Sequence, residues 1–301
     1  MTQYPSIKPF LKWAGGKDKL FNQLEIFLPP EIKKGEITNY YEPFLGSGAV
    51  FFNLIKQQTF EKVVLSDINE ELILVYTVIQ NDVEELIQIL DQLKSRYLQL
   101  SESDKEKFYY DLRTAYNYMR FNINYKKYSN AWIPRAAQMI FLNKTCYNGL
   151  YRQNLRGDFN VPFGKNFTPP VYEHDNMLQI SSILKKTNIL ISDFENTLDQ
   201  VPQDSFVYLD PPYRPISKTA KFNDYYKLGF NEKDNDRLMH LLKTLDQNGV
   251  KFMLNNSFRV NDEYVQKYYS QYNIGFIKAN RMMSSIPNKR NKVSEIVIMN
   301  Y

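Results

Sequence analysis

Apolar positions along the first 80 residues change period in a regular way. Asn39–Phe44 and Lys62–Ser66 are short runs rich in aliphatic and aromatic residues, as buried strands are. Ala49–Gln57 and Asn69–Gln80 repeat apolar residues at helical spacing. This strand–helix rhythm predicts a doubly wound sheet. The rhythm then stops. Asp82–Leu100, Asp104–Phe121 and Ala131–Asn143 are long, aromatic-rich and helix-periodic with no strand pattern between them. Leu150–Gly164 follows, punctuated by Gly and Asn as a hairpin is. From about Asn188 strands return as NILIS, FVYLD, VKFMLN, a run near Tyr272–Ile277 and a last one at Ser294–Met299, with a helix over Glu232–Leu245 among them. The simplest account is one α/β sheet domain made of residues 1–68 and 173–301, with a helical and β-hairpin module inserted at 69–172.

Composition narrows the chemistry. Of 301 residues, 43% are apolar and 24% charged, ordinary for a globular chain with a sizeable core. No apolar run approaches the roughly 18 residues of a membrane span, and the N-terminus has no signal-peptide pattern, so a cytoplasmic protein with no membrane partner is expected. The single cysteine, Cys146, excludes an intramolecular disulfide and a cysteine-rich zinc site. The two histidines, His174 and His240, lack metal-ligand spacing, so no metal is expected. Catalysis falls to carboxylates, backbone carbonyls, aromatics or a bound cofactor.

The net charge of +5 is unevenly placed. Arg120–Pro170 carries eight basic residues against Asp158 alone, a charge of +7, so the rest of the chain is −2. The basic block coincides with the inserted module, which fits a polyanion better than a solvated face.

Three motifs carry candidate chemistry. Asp210-Pro211-Pro212-Tyr213 ends an apolar strand, the edge at which ligands bind open α/β sheets. Two prolines cannot continue a central strand and hold a stiff turn there. The Asp210 carboxylate and Pro211 carbonyl then become acceptors, and Tyr213 offers an aromatic face. This suits an exocyclic amine of a nucleobase, whose lone pair is freed when two acceptors hold its hydrogens. Glu42-Pro43-Phe44-Leu45-Gly46-Ser47-Gly48 is a second strand-end turn, in which Gly46 and Gly48 let the backbone approach a ligand. Asp67, ending the next strand, can accept from ribose hydroxyls, so the pair suggests a nucleoside-containing cofactor. In the third, Phe10–Lys17 (FLKWAGGK), Trp13 beside paired glycines suits either a cofactor wall or a helix entry.

Together FLKWAGGK, EPFLGSG, SDIN and DPPY, in that order, resemble the alpha group of adenine-specific DNA methyltransferases, the Dam type. Asn143–Gly164, through YNGL, the arginine two residues on, and FNVPFG, is similar to their recognition hairpin. The resemblance spans essentially the whole chain. It implies a Rossmann-like methyltransferase sheet with an inserted target-recognition domain. It also implies S-adenosyl-L-methionine as cofactor and methyl transfer to a flipped adenine in double-stranded DNA. Carried over by motif, Trp13, Lys17, Phe44, Gly46, Gly48, Asp67 and Asp210 would meet the cofactor, and Asp210 through Tyr213 (Asp210, Pro211, Pro212, Tyr213) the adenine. Lys12, Tyr147, Asn148, Leu150, Arg152 and Pro162 would meet DNA. Where the family often has a basic residue and then tyrosine after the hairpin, this chain has Lys165-Asn166.

Extruding the base costs roughly a few kcal/mol, and an aromatic such as Tyr147 on a basic hairpin could fill the vacated stack. Arg152 matches the major-groove acceptors of guanine, and Leu150 and Pro162 suit a thymine methyl. With the resemblance this points to GATC, with a longer site such as GATATC as the alternative. Cytosine-amine methylation and a non-catalytic DNA-binding protein are weaker competitors. A cognate restriction endonuclease would be a functional rather than physical partner.

Overall fold

A computed structural model describes residues 7–212, 230–258, 263–278 and 294–301. Seven strands form one sheet: β1 (Asn39–Glu42), β2 (Lys62–Asp67), β3 (Asn188–Ile191), β4 (Ser205–Leu209), β5 (Lys251–Phe258), β6 (Asn273–Lys278) and β7 (Ser294–Met299). Their order is β3-β2-β1-β4-β5-β7-β6. Pairings from β3 through β5 are parallel, whereas β7 runs antiparallel between β5 and β6. The chain moves outward from β1 to β2 and β3, then returns to pair β4 on the other side of β1. Carboxyl ends of β1 and β4 therefore meet at a topological switch point, the place at which open α/β sheets bind their ligands.

The strand runs explain the layers. Alternate residues of one strand face opposite sides. Tyr40, Val63, Leu65, Phe206, Tyr208 and Val297 belong to one buried cluster, while Tyr41, Val64, Val207, Leu209, Leu254 and Ile298 belong to the other. Both faces are covered, so β1 and β4 are buried at every position, as central parallel strands require. At the edges the pattern relaxes, and β6 alternates between exposed and buried residues.

Two short helices, α1 (Phe21–Leu24) and α2 (Pro30–Lys34), lead into β1, and α3 (Ala49–Leu54) leaves it. Next come α4 (Glu70–Asn81), α5 (Val83–Leu98), α6 (Glu102–Met119) and α7 (Trp132–Thr145). Asn69 starts α4 by accepting from the amides of Glu71 and Leu72, and Ser101 starts α6 by accepting from Asp104. α4 is apolar nearly all round because it contacts β2 and β3 as well as α7 and α8 (His174–Leu184). Aromatic residues of α5, α6 and α7, namely Tyr97, Tyr109, Tyr116 and Phe141, join the same buried cluster as Tyr40 and Leu65. The other face is covered from α9 (Phe194–Thr197), α10 (Glu232–Gln247) and α11 (Glu263–Tyr269). Among the described residues no helix is long and apolar enough to cross a membrane.

One residue of the basic block belongs to the core. Arg135 is buried, its Nε donating to Glu71 at 2.8 Å, Nη1 donating to the Tyr116 carbonyl at 2.8 Å, and its guanidinium lying 4.1 Å from the Tyr116 ring centre. This arginine ties α7 to α4 and α6 and adds nothing to a polyanion footprint.

Candidate active site and nucleic-acid interface

The Phe10–Lys17 segment is anchored from both ends. Phe10 and Leu11 are buried, and the Phe10 ring packs edge-on against Tyr76 at 4.9 Å. Asn143 of α7 accepts from the Lys12 amide at 3.0 Å and donates to the Lys12 carbonyl at 2.9 Å and the Gly149 carbonyl at 3.1 Å. Lys12 itself is exposed. Trp13 stacks on Tyr151 of the hairpin, with centroids 5.1 Å apart and planes at 16°. The chain then turns, Gly16 donating to the Trp13 carbonyl at 3.2 Å, with Gly15 at a φ of 81° that suits glycine. That turn aims Lys17 inward.

Lys17 is only 2% exposed. Its Nζ donates to the Gly15 carbonyl at 2.8 Å and to Asp210 Oδ2 at 2.5 Å, and lies 3.9 Å from Glu295 Oε2. Asp210 keeps 19% of its side chain open, so a buried ammonium backs a carboxylate that is still accessible. Pro211 is buried and Pro212 exposed. Tyr213 lies outside the described residues.

Glu42 ends β1 beside them. Burial pushes its carboxyl up to about 8, with the negative charges of Asp210 and Asp67 adding to the rise and a 2.8 Å hydrogen bond from Tyr40 opposing it. At neutral pH Glu42 is therefore protonated and adds no charge. Asp67, ending β2, is pushed up to about 6 by burial, against the amides of Asn69 at 2.9 Å and Gly46 at 3.1 Å that donate to it. The Gly46 bond, with the Leu45 amide donating to the Ser66 carbonyl at 3.0 Å, holds the glycine turn against the end of β2. The turn is close-packed: a Cβ on Gly46 would meet Trp13 Cδ1 at 3.0 Å, and one on Gly48 would meet the Tyr76 hydroxyl at 2.8 Å, both at positive φ. Phe44 stacks on Phe194 at 5.4 Å and meets Phe230 edge-on at 6.0 Å.

Sequence reasoning missed Asp193 and Phe194 at the end of β3. Ile191-Ser192-Asp193 repeats the pattern of Leu65-Ser66-Asp67, and this echo was a usable signal. Asp193 accepts from the Glu195 amide at 3.0 Å and pairs with Arg237 at 2.5 Å, while Arg237 lies over the Phe194 ring. Beside it, Ile68, Asn69 and Asp193 line a cavity together with Arg120, Phe121 and Arg156.

The hairpin is held differently. Its ladder is only two isolated bridges, Cys146 with Phe163 and Gln153 with Phe159. Helix side chains supply the missing partners. Asn117 accepts from the Phe159 amide at 2.8 Å and donates to its carbonyl at 3.0 Å, and the Val161 carbonyl accepts from Tyr109 at 2.7 Å and Arg113 at 2.9 Å. Outward of this frame Tyr147 is 56% exposed, and Asn148, Arg152 and Pro162 are also exposed, with Leu150 half-buried. Cys146, extended at a ψ of 166°, ends α7 and releases Tyr147, and Asn148 follows at a φ of 57°. Arg152 Nε donates to Asn160 Oδ1 at 2.7 Å. Cys146 is buried, and burial pushes its thiol up to about 12, so it is no nucleophile for ring-carbon methylation. Among the described residues no cluster of three or more His, Cys, Asp or Glu could hold a metal ion.

A family model described as D12 class N6 adenine-specific DNA methyltransferase matches residues 13–283. The chain is 45% identical over 296 residues to the Type II methyltransferase M.MjaIII of Methanocaldococcus jannaschii, covering 98% of this chain and 99% of that one. It is 34% identical to the Type II methyltransferase M1.LlaDCHI of Lactococcus lactis subsp. cremoris, covering 98% and 96% of the two chains. It is 30% identical to the DNA adenine methylase of Escherichia coli strain K12, covering 97% and 95%.

Proposed function

The chain belongs to the D12 class of N6 adenine-specific DNA methyltransferases, and from that premise we propose how its residues divide the work. The cofactor is S-adenosyl-L-methionine, which when bound supplies a sulfonium methyl group to a nucleophilic amine. The residues present fit it. Asp67 is a carboxylate at a strand end for ribose hydroxyls, Gly46 and Gly48 bring backbone close, and Trp13 and Phe44 supply aromatic walls. Lys17 and Asp210 form the polar end of the same sheet edge.

Asp210 and the Pro211 carbonyl accept the two hydrogens of the adenine amine, which frees the nitrogen lone pair. Tyr213 gives the stacking face beside them. Protonated Glu42 leaves Asp210 as the acceptor at the switch point without adding a further negative charge. Alignment of the amine is the main source of rate, since well-oriented reactants gain roughly 7–11 kcal/mol over diffusing ones. The observation that carries this reading is the convergence of Lys17, Glu42, Asp67 and Asp210 on one edge of the sheet. Transfer of radiolabel from the cofactor's methyl group to DNA tests it, and no incorporation into adenine would refute it.

Residues 69–172 serve as the target-recognition part on duplex DNA, with Lys12, Tyr147, Asn148, Leu150, Arg152 and Pro162 as the contacts and Tyr147 filling the space left by the base. Arg152 reads guanine and the site is GATC. A longer site beginning with GAT is the second reading. It rests on Lys165-Asn166, which puts no tyrosine after the hairpin; Lys165 is exposed at a φ of 52°, and the Asn166 carbonyl accepts from Tyr97 at 2.7 Å. Methylation of duplexes with each base pair of GATC changed in turn separates the two. The Type II names of two relatives support a cognate restriction nuclease as functional partner.

A further inference from the structure

β7 is the strand whose direction places its first residues at the active edge. It runs antiparallel to β5, with Glu295 opposite Ser257 near the carboxyl end of β5. The beginning of β7 therefore shares an edge with the carboxyl ends of the parallel strands. Along β7, Glu295, Val297 and Met299 alternate onto the same side, and Val297 and Met299 lie in the core cluster that holds Tyr40 and Tyr208. A carboxylate at such a position is costly unless a cation answers it. Glu295 is fully buried, and the Lys17 ammonium lies 3.9 Å from it.

Lys17 thus stands between two carboxylates brought together from residues 210 and 295. We propose that Glu295 is a positioning residue of the cofactor site: it shares Lys17 with Asp210 and makes the pocket one charge more negative, so that the pocket selects a cationic sulfonium over the neutral thioether left after transfer. The inference rests on the reading that Lys17 and Asp210 border the cofactor. The two ligands differ by one methyl and one positive charge, so their affinity ratio reports the pocket's charge more than its shape. Sharing also leaves Asp210 less neutralised by the ammonium, which preserves it as an acceptor for the amine.

The test is the ratio of dissociation constants for S-adenosylhomocysteine and S-adenosylmethionine, measured by calorimetry without DNA. Glu295→Gln removes one negative charge and should lower the preference for the sulfonium about tenfold, as one unit charge in a partly buried site would. Lys17→Gln removes one positive charge and should raise the preference, even as it weakens both ligands. The double variant changes no net charge and should return the ratio to within about twofold of wild type, as a charge cycle predicts. A purely structural Glu295 would weaken both ligands alike and leave the ratio unmoved, and that result overturns the proposal. If Glu295→Gln does not fold, Lys17→Gln and the double variant carry the test. A double variant that keeps the ratio of Lys17→Gln then overturns it. Wild-type protein that binds neither ligand would bring down the cofactor reading and this inference with it. Wild-type binding with an unmoved ratio brings down the role of Glu295 alone.

Discussion

At the carboxyl edge of the sheet, charged side chains turn inward: Lys17, Glu42 and Glu295 are buried and Asp210 is mostly so. In the hairpin the arrangement is reversed. Phe159, Val161 and Phe163 go in, while Arg152, Leu155, Arg156 and Pro162 stay out. The first region has regular strands beneath it and derives its chemistry from desolvation, which moves Glu42 to about 8 and Asp67 to about 6. The second has almost no ladder, and its backbone is held by Tyr109, Arg113, Asn117 and Asn143 from two helices. On the proposed division of work, reactivity is built where charge is hidden, and recognition where charge is displayed on a frame supplied by other elements. The two regions touch through Trp13 on Tyr151 and through Asn143 on Lys12.

The largest expected effect separates them outright. Asp210→Ala should lower turnover by at least about a thousandfold, from misplacement at the reacting amine, while DNA affinity, dominated by phosphate contacts, changes little. Single-turnover methylation beside a DNA-binding titration checks this, and loss of both together would mean that the regions are not separable.

Asn143→Ala attacks the contact between them. It leaves the Lys12 amide and carbonyl and the Gly149 carbonyl without their partner, at a cost of about 1–3 kcal/mol for each group that stays buried and unpaired. We expect a lower unfolding midpoint together with weakened cofactor and DNA binding, whereas Asp210→Ala spares DNA binding. Urea unfolding and two binding isotherms read this out.

Arg152→Ala confines the damage to recognition. It should cost about 1–3 kcal/mol of discrimination at the guanine beside the target adenine, without lowering activity evenly on every sequence. Rates on duplexes altered at that base pair measure it. Equal selectivity in the variant would remove the hairpin from specificity.

The smallest effect is a pH dependence that belongs to the buried edge. Asp67 accepts hydrogen bonds best when ionised, and its raised value means that it gains a proton as pH falls through about 6. Cofactor affinity should therefore weaken about fourfold between pH 7 and pH 5.5, following the ionised fraction, and stay flat in Asp67→Asn. Calorimetry at the two pH values decides, and an equal slope in the variant would place the titrating group elsewhere.

Much of this was legible locally. Strand positions follow from short apolar runs, and β1, β2, β4 and β7 lie where those runs are. Asp67 and Asp210 stand out because carboxylates follow such runs at their carboxyl ends. Asp193 follows the same rule and was passed over because no glycine turn or proline pair marks it. Helix α8 was missed because its segment lacks a strong boundary signal, Glu173 giving it no side-chain cap. The basic block was legible as charge but not as exposure, and Arg135 turned out to be a buried tie to Glu71. Tyr213 lies outside the described residues.

The order of motifs along the chain, three of them strand ends with their turns, was enough to name the family and the reaction, because backbone turns and acceptor groups are properties of a few adjacent residues. Which charges meet was decided only by the tertiary structure. Lys17 and Asp210 are 193 positions apart, and Glu295 comes from an antiparallel strand at the far end of the chain. Their pairing depends on the sheet order that sets β1 beside β4 and starts β7 at the same edge. Burial of the edge then raises the values of Glu42 and Asp67, and desolvation is a property of everything packed around a group, which no local run of residues encodes.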